Sequence, residues 1–156
     1  MKAMTADRIA MLVGTAALTL LAGALGFQYI GHLAPCEMCH WQRWAHIAAG
    51  VFGLGGGFCM ARGNMPRNDI VAWLAIVCVT LSGAIALYQA GMQAHILPGP
   101  SSCTGHRFVL GSHETPQVQC DVVTWTLFGL SLAVYNAIAS FAIAAAGTFW
   151  MGKRTA

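Results

Sequence analysis

The sequence predicts an all-α integral membrane protein, a bundle of four transmembrane helices with both termini cytoplasmic and two outer loops carrying cysteine pairs. Three observations predict it. Charged residues make up 8% of the chain against 57% hydrophobic, far below the roughly 25% charged expected of a soluble domain, and the mean hydropathy is +0.63. Four stretches, 9–30, 44–61, 70–91 and about 122–151, contain no Asp, Glu, Lys or Arg. Each exceeds the roughly 17 residues a helix needs to cross a ~30 Å hydrocarbon core, and an open sheet there would leave backbone groups unpaired in lipid. Finally, Lys and Arg are divided unevenly between the two sides of these stretches.

Taken in order, span 1 follows Lys2 and Arg8 and contains Ala22-Gly23-Ala24, which has the look of a signal-peptidase site. Its apolar run continues past that site to Ile30, whereas a signal h-region runs about 7 to 15 residues, so the segment reads as a retained span. An outer loop, 31–43, holds Cys36, Cys39 and Arg43, and span 2 follows with Ala49, Gly53 and Gly57 at every fourth position. Small residues at that spacing let helix backbones approach closely, within one bundle or between two copies of it. Arg62 and Arg67 separate spans 2 and 3, and Gly83 and Gly91 mark a face of span 3. A second outer loop, 92–121, carries Cys103, Arg107 and Cys120, after which span 4 ends at Lys153 and Arg154. Six basic residues therefore lie on the side of the termini and two on the other, which places the termini in the cytoplasm and both cysteine-bearing loops where disulfides persist. Trp41, Trp44 and Trp125 fall at the outer interface, Trp73 and Trp150 at the inner one. With no repeat or soluble segment, residues 1–156 read as a single membrane domain.

The chemistry must then sit in the outer loops. Cys36 and Cys39 have the C-x-x-C spacing of reversible thiol chemistry, and a second pair, Cys103 and Cys120, suggests that electrons pass between the two. If span 2 is already helical near Cys39, then Cys39, Arg43 and His46 share one face. Arg43 and the helix N-terminus would both favour a thiolate on Cys39. The plainer readings are an interfacial anchor for Arg43 and a hydrogen-bonded histidine for His46. For Cys103 and Cys120 the plain reading is a staple closing a loop of Gly105, His106, Arg107, Gly111, His113 and Pro116, stabilising it by about 3 kcal/mol. Cys59 and Cys78 lie within spans, where small apolar packing is their expected role. Cys36-Glu37-Met38-Cys39-His40 is also a literal C-x-x-C-H, the attachment signature of c-type haem, with His40 as axial ligand. Zinc held by the four outer cysteines is a third possibility.

Across nearly its whole length the chain resembles the disulfide bond formation protein B (DsbB) family of bacterial inner-membrane thiol oxidases. The resemblance rests on Phe27-Gln28, on Pro35-Cys36-x-x-Cys39-x-x-Gln42-Arg43, and on Pro98-Gly99-Pro100-x-x-Cys103-Thr104-Gly105. It continues through Cys120-Asp121, Trp125, Gly129-Leu130-Ser131-Leu132-Ala133 and Asn136. It implies a protein-disulfide:quinone oxidoreductase that reoxidises a periplasmic thioredoxin-fold oxidase of the DsbA type, in support of periplasmic protein folding. Cys36, Cys39, Cys103 and Cys120 would be catalytic, and Gln42, Arg43 and His46 would bind the quinone, ubiquinone or menaquinone. The partner attacks Cys103, the electrons move on through a transient Cys36 to Cys120 bridge, and Cys39 donates to the quinone. A DsbA-like partner is itself oxidising, at about −120 mV, so its regeneration needs a stronger acceptor still. Neither a metal nor nucleic acid is expected as a ligand. One departure stands out: span 3 ends Tyr88-Gln89-Ala90, where many relatives place a histidine near the tyrosine. That leaves two partners open, one of the DsbA type or a dedicated one as in the DsbI-like branch, with His95 as a candidate for the missing role at a non-equivalent position.

Overall fold

The structure is a computed structural model that describes residues 4–66, 68–104 and 118–155. Arg67, Lys2 and the loop residues Gly105, His106, Arg107, Gly111, His113 and Pro116 lie outside the described residues. Four helices long and apolar enough to cross a membrane make up most of the fold. They are α1 (Ala6–Tyr29), a second rod composed of α2 (Glu37–Gly50), a π-helical turn (Val51–Gly56) and α3 (Gly57–Ala61), then α4 (Ile70–Gln93) and α5 (Leu132–Thr155). Leu12, Leu81, Leu87, Ile138 and Phe149 point outward along these helices, as expected of a bundle whose outer surface meets lipid rather than water.

The core is built from small residues. Ile9, Ala10, Val13 and Ala17 of α1 meet Ala49 of α2, Met60 of α3, and Val71, Ala72, Ala75, Ile76 and Val79 of α4. Helix α4 is central, packing against α5, α2 and α1. Gly50, Gly53 and Gly57 of the second rod face α1. A Cβ on Gly53 would stand 2.6 Å from the Ala10 carbonyl oxygen and 2.7 Å from the Gly14 Cα, and one on Gly57 would lie 2.9 Å from the Asp7 oxygen. Close backbone approach thus spends these glycines inside the bundle. On α4, Gly83 faces Ser140 and Phe141 of α5, and Gly91 lies under Leu97.

Helix ends explain where the chain turns. Helix α3 stops at Gly63, which takes φ 77°, with Asn64 N–H bonding to the Cys59 carbonyl and Gly63 N–H to that of Met60. This is a Schellman closure, whose left-handed residue is usually glycine. Helix α4 stops the same way but with His95 at φ 56°, its N–H bonding to the Met92 carbonyl and that of Ile96 to the Gly91 carbonyl. At the opposite end, Arg154 of α5 meets Asp69, which precedes α4, at 2.6 Å.

Helix α5 begins at Leu132, later than the apolar run from 122 suggests. Residues Thr126–Leu127 and Leu130–Ser131 pair instead as two short antiparallel strands, β1 and β2. Between them Phe128 (φ 50°) and Gly129 (φ 78°) both take left-handed backbone, the requirement of a tight turn of the primed type that suits a hairpin. The Tyr135 hydroxyl donates to the Leu127 carbonyl at 2.9 Å and ties the hairpin to α5. Hydropathy alone reads this segment as helix because its residues are apolar. The turn residues set its backbone.

Candidate active site

Helix α2 begins at Glu37 with Cys36 as its N-cap, and the Cys36 sulfur accepts from the Cys39 backbone N–H at 3.4 Å. A thiol cap is an unusual choice, since Ser, Thr, Asp and Asn are the preferred cap residues. The consequence is that both sulfurs sit at the positive end of the helix dipole, 2.8 Å from each other. That spacing lies between a nonbonded contact and the ~2.05 Å of a disulfide, so closing or opening the bond needs little movement. Cys36 is 4% exposed and Cys39 half-buried. The hydrogen bond with the Cys39 sulfur, reinforced by burial, holds the Cys36 thiol far above the ordinary value.

Cys103 and Cys120 form a disulfide with Cα atoms 5.5 Å apart. The Pro98-Gly99-Pro100 turn positions it. Tyr88 donates its hydroxyl to the Pro98 carbonyl at 2.7 Å, Cys103 N–H bonds to the Pro100 carbonyl, and Gly99 lies so close to Met92 and Thr104 that a Cβ would overlap them. Cys120 N–H returns to the Cys103 carbonyl at 2.8 Å. The result is a single buried cluster of Cys36, Met38, Met92, Cys103 and Cys120, with Cys39, Ile85 and Val118 packed against it. All four outer cysteines thus meet in one apolar patch, whereas Cys59 and Cys78 do not join it. Among the described residues no group of three or more His, Cys, Asp or Glu could hold a metal ion.

Beside the C-x-x-C lies a cavity of about 480 Å³, walled by α1, α2, α5 and the end of α4. Cys36, Cys39, Gln42, Arg43 and His46 all line it, so the helical face expected for Cys39, Arg43 and His46 is present. Phe27 and Trp125 close one side, their ring centroids 4.9 Å apart. Its volume and mostly apolar wall with a few polar groups are those of a small-molecule site.

The polar side chains make an ordered chain. Gln89 Nε2 donates to the Cys36 sulfur at 3.2 Å, Gln42 Nε2 to Gln89 Oε1 at 2.7 Å, and Asn136 Nδ2 to Gln42 Oε1 at 2.8 Å. His46 Nε2 lies 3.0 Å from Asn136 Oδ1 and 3.0 Å from the Ser82 hydroxyl, and Ser140 donates to Asn136 Oδ1 at 3.1 Å. Arg43 gives one terminal nitrogen to Gln28 Oε1 and the other to the Ala24 carbonyl at 3.3 Å. The side-chain hydrogen-bond donor to the C-x-x-C sulfurs is therefore Gln89, with Arg43 contributing charge from the cavity wall. His95 is exposed at the α4 cap and does not line the cavity. Sequence reasoning singled out Gln89 only as a missing histidine and passed over Ser82. The available signal was polarity inside an apolar span, where such residues face the bundle interior.

A family model described as Disulfide bond formation protein DsbB matches residues 6–150. The protein named Disulfide bond formation protein B of Azoarcus sp. (strain BH72) is 30% identical over 146 residues, covering 86% of each chain. One of the same name from Burkholderia ambifaria is 28% identical over 161 residues, covering 94% of this chain and 91% of its own. No solved structure matches the chain significantly.

Proposed function

The chain belongs to the disulfide bond formation protein DsbB family, and from that premise we propose that it is a membrane thiol oxidase carrying two electrons from a periplasmic dithiol protein to membrane quinone. The family makes it a multi-pass membrane oxidoreductase of disulfide bond formation. The finer reading adds the direction of flow, the partner and the acceptor. The observation that carries it is the placement of both cysteine pairs in one buried cluster, with only the C-x-x-C bordering the cavity.

In this reading a thioredoxin-fold oxidase of the DsbA type brings two thiols to the Cys103–Cys120 disulfide from the periplasm. Its thiolate attacks Cys103, expelling Cys120; its second thiol resolves the mixed disulfide, so the partner leaves oxidised and this pair is left reduced. The Cys120 thiolate then attacks Cys36 of the Cys36–Cys39 disulfide, forming a Cys36–Cys120 bond and freeing Cys39 as thiolate. Attack by Cys103 on Cys120 restores the first disulfide and leaves Cys36 and Cys39 reduced. Their re-oxidation releases two electrons and two protons. A quinone in the cavity would be the acceptor of both, taking the two electrons and two protons as quinol. Arg43 would offer it a donor, with Gln42 and His46 lining the same site and Phe27 and Trp125 shielding it. Burial of Cys36 and the mutual contact of the sulfurs favour dithiol chemistry over haem attachment, which would require both sulfurs to bond a porphyrin with His40, an exposed side chain.

The test mixes purified protein in nanodiscs with a reduced thioredoxin-fold oxidase and a short-tailed quinone, and follows quinol formation. Cys39→Ser and Cys103→Ser are each expected to abolish turnover; full turnover in either sinks the two-pair relay. Arg43→His is expected to raise the quinone KM about tenfold or more while leaving exchange between the pairs intact, the loss of one charge-assisted contact. Equal loss of both would contradict its role.

A further inference from the structure

The hydrogen-bond chain from the cavity to the sulfurs has a direction, and the sulfur end sets it. Cys36 Sγ faces Cys39 Sγ at 2.8 Å, and once the two close as a disulfide it carries no hydrogen. Gln89 must therefore present its NH₂ to Cys36, which turns its oxygen to Gln42. Gln42 in turn presents its oxygen to Asn136, and Asn136 presents Oδ1 to His46. An oxygen that also accepts from Ser140 can only accept, so the hydrogen between it and His46 belongs to Nε2. Neutral histidine with Nε2–H has a bare lone pair on Nδ1. His46 is 3% exposed, and its Nδ1 is buried with no partner, on a side chain that lines the cavity.

Two further buried atoms of the same wall lack partners. Arg43 Nε is a donor and Gln93 Oε1 an acceptor. Three side chains of the cavity wall thus carry buried unmatched atoms, one donor and two acceptors. A quinone has only acceptor oxygens and can satisfy Arg43 alone; facing His46 Nδ1 it sets lone pair against lone pair. A hydroquinone can accept from Arg43 and also donate a hydroxyl to Nδ1. We propose that His46, held in this tautomer by the Gln89–Gln42–Asn136 chain, makes the cavity bind hydroquinone in preference to quinone. The inference rests on the quinone-reducing reading above and deepens it. Linkage gives the consequence. Tighter binding of the reduced form raises the potential of the bound couple, by ~30 mV for each tenfold preference in a two-electron couple. The site would thereby strengthen the acceptor for thiols whose partner is itself strongly oxidising.

The experiment measures dissociation constants of a decyl-tailed benzoquinone and of its hydroquinone, anaerobically, by quenching of tryptophan fluorescence in nanodiscs. The protein is the wild type with both disulfides closed, so that quinone has no thiol to oxidise and hydroquinone faces only the uphill reaction. The expected result is hydroquinone bound tenfold or more tightly than quinone, with His46→Leu reducing the preference to within about twofold by loss of hydroquinone affinity. Equal affinities, or quinone the tighter, in the wild type overturn the inference while leaving the quinone site standing, and this comparison does not depend on the variant folding. A preference that survives in a folded His46→Leu overturns the assignment to His46. Binding of neither ligand overturns the quinone reading, and the inference with it.

Discussion

Cys36 does three things at once, and each constrains its chemistry. It caps α2, it is buried among Met38, Met92 and the second disulfide, and its thiol is pushed up by the contact with Cys39. The sign of the resulting pH dependence is clear. Its thiol is pushed up from 9.0, first by the hydrogen bond to Cys39 and then by burial; a folded value above the unfolded one means stability that is present below 9.0 and lost as pH rises beyond it. Reactivity follows the same rule, because the thiolate is the species that reacts. In the reduced protein Cys36 should resist alkylation well beyond pH 9. Cys39→Ser removes the largest cause, so the midpoint of the Cys36 alkylation rate against pH should fall. Mass spectrometry of the alkylated peptide reads this directly. A midpoint that does not move would show that the contact between sulfurs is not what holds the proton.

At the scale of the element, the second transmembrane rod is shaped by its glycines. The π-helical turn Val51–Gly56 interrupts regular helix where Gly53 meets Gly14 and Ala10 of α1, and such turns change the register of the side chains that follow. The two glycines there have different surroundings. A Cβ on Gly53 collides with backbone, whereas one on Gly55 meets nothing within 4 Å. Gly53→Ala should cost about 1–3 kcal/mol by forcing α1 away, and Gly55→Ala should be neutral or stabilising by about 0.5–1 kcal/mol. Thermal unfolding in detergent distinguishes the two, and an equal effect would remove close packing as the reason. Helix α4 offers a parallel case at its end. His95 occupies a left-handed cap position suited to glycine, so His95→Gly should retain or slightly raise stability and leave quinone reduction unchanged. Loss of turnover there would mean that His95 has a role its position outside the cavity does not give it.

For the molecule as a whole, orientation is the open structural consequence. The positive-inside reading puts the hairpin tip Phe128, 90% exposed, on the same outer side as both cysteine pairs, and Arg62 on the cytoplasmic side. In intact cells a membrane-impermeant maleimide should label Phe128→Cys, and should label Arg62→Cys only after permeabilisation. The reverse pattern would invert the topology and place the disulfides in a reducing compartment. The Arg154–Asp69 pair at the opposite end is part-exposed and contributes modestly at most. What holds that end is the packing of Ile9, Met60, Ile76 and Met151.

The spans, the cysteine pairs and the shared face of Cys39, Arg43 and His46 were legible in the amino-acid sequence by itself, because they depend on local composition and on spacing along one helix. The start of α5 was less so, since apolar residues suit a hairpin at a membrane interface as well as a helix. The assembled site belonged to the tertiary structure. Gln42 and Gln89 are 47 positions apart, and Gln42 and Asn136 are 94. Whether such side chains meet depends on how each helix is rotated about its axis. A helix apolar on every side carries little periodicity to reveal that rotation. Packing of the small residues between α1, α2, α4 and α5 decided it, and with it which few polar groups in the apolar interior became a chain leading to Cys36.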